Sequence, residues 1–449
     1  MLPRERSLCY NQAIMKIFEV GRDAHEDICK ALGPQMVSSD QAIAATVASI
    51  ITDVRTWGDD ALLKYGRKFD CPELASIVVD DAEIDAAYAA ISMDLLSAIR
   101  TAKQNIEDFH KRQLRGSWID TTENRILGQI IRPLERVGVY APAGKAPLAS
   151  SVLMTALPAK VAGVGEMIMC APPQKDGNIH APMLVAAREC GIGKVFKASG
   201  AQAIAAMAIG TAAIPRVDKI VGPGNAFVTE AKRQLYGIVG IDMLAGPSEA
   251  LVLADGAADP VLVAADLLSQ AEHSEDARAI LVTTERPIAH EVLNEIKRQR
   301  TQLSRGELIN DSLNEFGVVV ICTSLDEAID MANYCAPEHL ELMVADPWSV
   351  LPRIKNAGAI MIGRDSAVPI GDYIAGPSHT LPTNGTARFS SPLSVDDFLK
   401  KSSLIWYSRQ AVADVLKPLT ELAMSEGFDA HAKAVRLRVE PESDRKEAT

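Results

Sequence analysis

The sequence predicts an α/β protein built as two consecutive layers of strands and helices, on three observations. From about Pro133, short apolar runs alternate with helical stretches of about ten to fifteen residues, the rhythm of βαβ units in a parallel sheet. That rhythm halts at a GPGN turn, Gly222 to Asn225, and then restarts, so two layers are expected rather than one sheet. The 449 residues, 48% hydrophobic and 23% charged, are enough to bury a sizeable core and have the balance of an ordinary globular protein.

Before that rhythm begins, Met1 to about Arg125 reads as helical and charged. Ser39 is placed to cap DQAIAATVASIITDVRTW, whose apolar spacing of three and four predicts a helix broken at Gly58. DAEIDAAYAAI and LLSAIRTAKQNIEDFHKRQ continue the helical pattern. The first layer then reads strand RVGVYAP, helix SSVLMTALPAKVAG, strand EMIMCAP, helix APMLVAAREC, strand KVFKAS, helix AQAIAAMAIGT and strand VDKIVG. After GPGN and helix AFVTEAKRQLYG, the second layer reads strand EALVLAD, helix PVLVAADLLSQAEH, strand AILVTT, one long helix, strand GVVVICT, helix LDEAIDMANY and strand GAIMIG. Arg364 to Phe398 is rich in Gly, Pro, Ser and Thr and carries Asp372, His379 and Arg388; a loop of that length inside a compact protein is read as functional. Pro418 to Arg438 reads as a helix interrupted by Gly427, and the last ten residues as a frayed end.

The formal charge of −12 argues against nonspecific nucleic-acid or acidic-membrane binding, while leaving room for a local basic pocket. Seven scattered cysteines without a C-x-x-C pair are no disulfide framework and suit a reducing compartment. No run reaches the roughly 18 apolar residues of a membrane helix, and the first residues lack a secretory apolar segment. A cytoplasmic protein is expected.

Eight histidines are few enough to weigh singly. His25, His110, His180 and His290 stand in charged or solvent-like contexts and receive no role. In SQAEHSED, Gln270 and His273 lie three apart on one face if the helix continues. They read either as a carboxamide and an imidazole on one metal ion or as a solvated polar helix end. In CAPEHLEL, Pro337 keeps Ala336 out of helix. Glu338 and His339 share a site only if the backbone turns irregularly there; otherwise they are a surface pair. Together they offer two proton acceptors of different basicity, suited to a reaction with two deprotonations. GDYIAGPSHTLPTNGT presents Asp372 and His379 either toward a metal or on a turn-rich surface loop. Glu426 and His431 flank Gly427 and align only if the helix bends there. Cys335 reads as inert packing or as a nucleophile. The chain lacks both the G-x-G-x-x-G fingerprint and a P-loop; GPGN is a weak pyrophosphate-facing alternative.

In this order the motifs resemble one family, the histidinol dehydrogenases. The resemblance runs from about Asp53 nearly to the end, through RVGVYAPAGKAPLASSVLMTALPAKVAGV, IPRVDKIVGPGN, VGIDMLAGPSEALVLAD, ADLLSQAEHSEDARAILVT, APEHLEL, GDYIAGPSHTLPTNGTARFSSPLSVDDF and EGFDAHAKAVRLR. It implies two incomplete Rossmann-like domains with parallel-rich sheets, plus small helical domains at the N- and C-termini. The division expected is a helical N-terminal segment over 1–130, a first Rossmann-like domain over 131–240, a second over 241–380 and a helical tail over 381–449. It implies zinc held by Gln270, His273, Asp372 and His431, and Glu338 and His339 as the acid/base residues. Ser248, His379 and Glu426 would contact substrate, as would the zinc-site residues and His339; Tyr140, Gln202 and Asn225 would contact NAD. It further implies a homodimer in which Glu426 and His431 come from the partner's tail, and a four-electron oxidation of L-histidinol to L-histidine with two NAD. The resemblance also admits NAD-linked oxidation of another small alcohol or diol, such as a sulfonated propanediol, by the same superfamily, and two readings of other classes stay open: a zinc hydrolase working without NAD, and a catalytically silent binding paralogue.

Overall fold

The computed structural model describes residues 14–34, 41–143 and 147–441; the Ser39 cap and the last residues of the tail fall outside them. Two compact units emerge from the contacts. One comprises residues 1–113 and 134–398, the other residues 114–133 and 399–449.

The larger unit holds two parallel sheets. One has six strands: β1 (Lys16–Glu19), β9 (Glu249–Ala254), β10 (Arg278–Thr283), β11 (Val318–Ile321), β12 (His339–Met343) and β13 (Ala359–Ile362), in the order β1-β11-β10-β9-β12-β13. The other has five: β4 (Arg136–Tyr140), β5 (Glu166–Ala171), β6 (Lys194–Lys197), β7 (Lys219–Val221) and β8 (Gly240–Ile241), in the order β6-β5-β4-β7-β8. Without β1, both run third-second-first-fourth-fifth, each reversing direction beside its first strand as a doubly wound sheet does. Strands such as EALVLA and RAILVT are buried at every residue, because helices cover both faces. The helices start where their caps predict: Asp259 accepts from Val261 N–H with Pro260 at the first position, and Ser324 accepts from Glu327 N–H.

Several elements were not expected. β1 sits in the stretch read as helical and adds a parallel edge beside β11, with Lys16 opposite Val318. The run HLELM is a strand, although Glu341 interrupts its apolar pattern. The segment between β10 and β11, expected as one long helix, is two helices, Arg286–Gln299 and Gly306–Phe316, parted by a 3₁₀ turn. The Gly- and Pro-rich stretch from residue 364 is tied down by a short helix, Val368–Tyr373, and by 3₁₀ turns at Thr386–Arg388 and Val395–Phe398.

The smaller unit is an antiparallel sheet in the order β14-β3-β2, with β2 (Trp118–Thr121), β3 (Arg125–Pro133) and β14 (Leu399–Tyr407), followed by the helices Arg409–Ser425 and Asp429–Val439. The tail is therefore not helical throughout. Its two helices pack on each other across Gly427, whose φ of +78° is open to glycine at no steric penalty. Among the described residues no helix is long and apolar enough to cross a membrane, and six cysteines are free.

Candidate active site

The Leu325–Cys335 helix ends at Ala336, which takes a left-handed conformation (φ 50°, ψ 57°) that non-glycine residues seldom adopt. Pro337 follows, and β12 begins at His339. This irregular turn brings neighbouring side chains to one place: His339 Nδ1 lies 3.7 Å from Glu338 Oε2, and both residues are at most 5% exposed. Strand β9 supports them through a single residue. Glu249 N–H donates to Glu338 Oε2 at 2.9 Å, and Glu249 C=O accepts from His339 Nδ1 at 3.2 Å. Since Nδ1 faces only acceptors, it carries the proton in the neutral ring, leaving the Nε2 lone pair directed away. Nε2 is buried without a hydrogen-bond partner and lies 3.5 Å from Asp372 Oδ1.

Asp372, on the short Val368–Tyr373 helix, also anchors His379: its carbonyl accepts from His379 Nδ1 at 3.0 Å, while His379 Nε2 meets Ser151 Oγ at 3.1 Å. Both His379 nitrogens are thus engaged. His339, Asp372 and His379 line a cavity of about 580 Å³ whose other walls include Phe109, Ile360 and Leu393. His110 lines it too, a correction to the solvent-like context read from FHKRQ. It is fully buried, with Nδ1 2.7 Å from Gln113 Oε1.

Electrostatics separate the pair. Burial pushes Glu338 up to about 7, with Glu249 and Asp372 adding to the rise and His339 opposing it. Burial pushes His339 down, but the Glu338 charge and the Asp372 carboxylate outweigh it and hold the ring at about 9. Burial likewise raises Asp372, yet the adjacent His339 ring, with His379 and His273, keeps it below the ordinary carboxylate range. Burial lowers His273 and His379, favouring neutral imidazoles. Cys335 is buried and burial raises its thiol, which fits packing rather than nucleophilic attack.

Gln270 ends the last turn of the Pro260–Ala271 helix, and His273 follows in a turn whose N–H donates to Gln270 C=O. Gln270 is 1% exposed, and among the described residues neither polar atom of its carboxamide has a hydrogen-bond partner. A buried, unsatisfied amide is costly unless something binds it. With neutral His273 and ionised Asp372, it fits a donor set waiting for a cation. Among the described residues no three His, Cys, Asp or Glu side chains gather to hold an ion, so this unit by itself offers an incomplete set. Glu426 and His431 belong to the smaller unit. Glu426 caps the Arg409–Ser425 helix, and His431 stands exposed with its ring 5.0 Å from that of Phe428.

The residues expected to meet NAD gather at the carboxyl end of the five-stranded sheet. Tyr140 ends β4, its hydroxyl accepting from Gly200 N–H at 3.0 Å. Gln202 Nε2 donates to Ser199 Oγ, which donates to Asp70. Asn225 Oδ1 caps its helix by accepting from Phe227 and Val228 N–H. In the GPGN turn, Gly222 has φ +121°, and a Cβ there would lie 2.0 Å from the Tyr140 carbonyl oxygen. Buried Lys232 and Asp242 hold both peptide groups of Gly222: Lys232 Nζ donates to its C=O and its N–H donates to Asp242. Glu249, Ser151 and Asp70 went unnoticed in the sequence. A charged residue opening an apolar strand, as Glu249 does in EALVLA, was the only available signal.

The histidinol dehydrogenase family model matches residues 34–439. A histidinol dehydrogenase of Clostridium acetobutylicum is 48% identical over 426 residues, covering 95% of this chain and 99% of that protein. One from Moorella thermoacetica is 52% identical over 403 residues, covering 89% and 95%. The crystal structure of a histidinol dehydrogenase from Elizabethkingia anophelis superposes with a TM-score of 0.90 at 38% identity, covering 95% of this chain and 98% of that one.

Proposed function

The chain belongs to the histidinol dehydrogenase family, and from that premise we propose that it oxidises L-histidinol to L-histidine with two NAD and one water, the closing oxidation of histidine biosynthesis, in the cytoplasm. The observation that carries this reading is the buried Glu338–His339 pair, two proton acceptors separated in basicity beside an ionised Asp372.

His339, with Nδ1 committed to Glu249, serves as base in its deprotonated form: once Nε2 has released the proton that Glu338 and Asp372 favour there, it takes the alcohol proton as the first hydride leaves the carbinol carbon. Glu338, one oxygen held by Glu249 N–H, takes a proton at its other oxygen from the water that attacks the aldehyde. The hydrate then loses the second hydride. Gln270, His273 and Asp372 would hold zinc together with His431 of the partner subunit. Zinc, when bound, orients the substrate's imidazole and amino nitrogens. Ser248 and His379 line the substrate's place, and Glu426 joins them from the partner subunit's tail. Tyr140, Gln202 and Asn225 border the NAD site. Exposed Leu422, Met424 and Phe428 beside Glu426 suit a tail that a second copy covers in a homodimer.

Metal-stripped and zinc-restored protein assayed with L-histidinol and NAD tests the activity. Two NADH per substrate are expected, returning with zinc; one NADH, or activity confined to a sulfonated diol, would overturn the reading. Mixing His431→Ala with Glu338→Gln subunits tests the shared site: about a quarter of wild-type activity is expected from hybrid dimers. No recovery would rule out the contribution of the tail in trans.

A further inference from the structure

Two catalytic side chains hang on the main chain of one residue, and what holds that residue lies outside the reaction. Glu249 is fully buried. Its Oε2 accepts from Arg278 Nη1 at 2.7 Å, and its Oε1 accepts from Asn384 N–H at 2.9 Å. Asn384 (φ 56°) and Gly385 (φ 75°) form a left-handed turn whose successive N–H groups make an anion-binding hollow, and Gly385 N–H also reaches the carboxylate. Arg278 is 3% exposed, and its Nη2 donates to the carbonyls of Ala31 and Leu32 at the end of the His25–Leu32 helix. The N–H of Arg278 also donates to Ser248 C=O. Every anchor is therefore a charge-assisted or main-chain hydrogen bond in the interior, where such bonds are strong.

We propose that Glu249 is a positioning residue of this enzyme, its carboxylate locked between Arg278 and the 384–385 turn so that its peptide N–H and C=O aim Glu338 and fix the tautomer of His339. The inference rests on the reading of Glu338 and His339 as the acid/base pair. It adds a division of labour: the side chain of Glu249 touches neither substrate nor reacting atoms, and acts through its backbone and its charge.

The test is the double variant Glu249→Gln/Arg278→Met, which removes both charges and leaves no lone buried ion. It is compared with wild type, Arg278→Lys and Glu338→Gln in the zinc-loaded dimer. Circular dichroism and zinc content per subunit should match wild type. The turnover of the aldehyde-to-acid step should fall about 10- to 100-fold, the loss expected of a small misplacement. KM for histidinol should stay within about twofold. Arg278→Lys keeps the Glu249 charge but loses the fork to Ala31 and Leu32, so its turnover falls as well. A folded double variant with unchanged turnover, or with reduced turnover accompanied by a KM raised well beyond twofold, overturns the proposal. If the double variant does not fold, unchanged turnover in Arg278→Lys overturns it instead. Glu338→Gln separates the two levels: if it leaves the aldehyde-to-acid step intact, the reading of the pair fails, whatever Glu249 does.

Discussion

The two parallel sheets, β1 aside, share one strand order yet gather their candidate residues at opposite ends. In the five-stranded sheet the candidate NAD residues follow the carboxyl ends of β4 and β7, where doubly wound folds open their crevice. In the six-stranded sheet Ser248 precedes β9, Glu338 precedes β12 and His339 opens it, so these candidate residues gather at the amino ends. Strand order therefore does not say which end of a sheet is used. The difference lies in the turns. The first sheet uses a glycine turn pressed against Tyr140. The second uses a left-handed Ala336 before Pro337, and hydrogen bonds that cross from β12 to β9 in parallel register, His339 opposite Ala250.

The sharpest way to break this contrast is at Glu338. Glu338→Gln is expected to slow the aldehyde-to-acid step by about 10² to 10⁴, more than the first oxidation. Single-turnover NADH formation from histidinol and from histidinal checks it, and equal losses would mean the pair does not divide the work. At the other sheet, Gly222→Ala forces a Cβ onto the Tyr140 carbonyl and a positive φ onto alanine, an expected destabilisation of about 2–4 kcal/mol with weakened NAD binding. Urea unfolding and NAD titration measure both, and a wild-type midpoint would show that the wedge is dispensable.

A third expectation sharpens the electrostatic side. Because Glu338 is raised to about 7, its carboxylate, the proposed base, is protonated below that pH. The aldehyde-to-acid rate should then rise about tenfold per pH unit up to roughly 7 and level off above it. A flat profile from pH 5.5 to 8 would exclude Glu338 as the base.

The smallest effect is expected one layer beneath the site. Glu341, two residues along β12 from His339, has both oxygens buried without a donor, and burial together with Asp266 pushes it well above the carboxylate range. A carboxyl raised on folding holds its proton in the native state. Stability is then greatest below the unfolded value near 4.5 and declines as pH rises toward the folded one. Glu341→Gln removes that decline, so its melting temperature should exceed that of wild type by about 1–3 °C at neutral pH and converge with it in acid. A constant offset across pH would refute the protonated form.

Much of the larger unit was legible because burial on both faces leaves continuous apolar runs, as in EMIMCA and RAILVT. β2, β3 and β14 escaped because their antiparallel sheet is half exposed and mixes polar with apolar residues, as in LKKSSLIWY. β12 escaped because Glu341 interrupts the run. At the site, the residue types of Gln270, Glu338, His339 and Asp372 were readable. His110 was misjudged, since FHKRQ looks solvated while the helix turns that one ring inward.

The sequence by itself determined the periodicity of the elements, the helix break at Gly58 and the GPGN turn, because each is decided by residues a few positions apart. Only the tertiary structure decided that the peptide of Glu249 would hold side chains about 90 residues away, that Asp372 would face His339, and that Gln270 would be left buried with nothing to bond. Those outcomes depend on the parallel register of β9 and β12 and on desolvation by neighbours distant in the chain, and no local pattern encodes either.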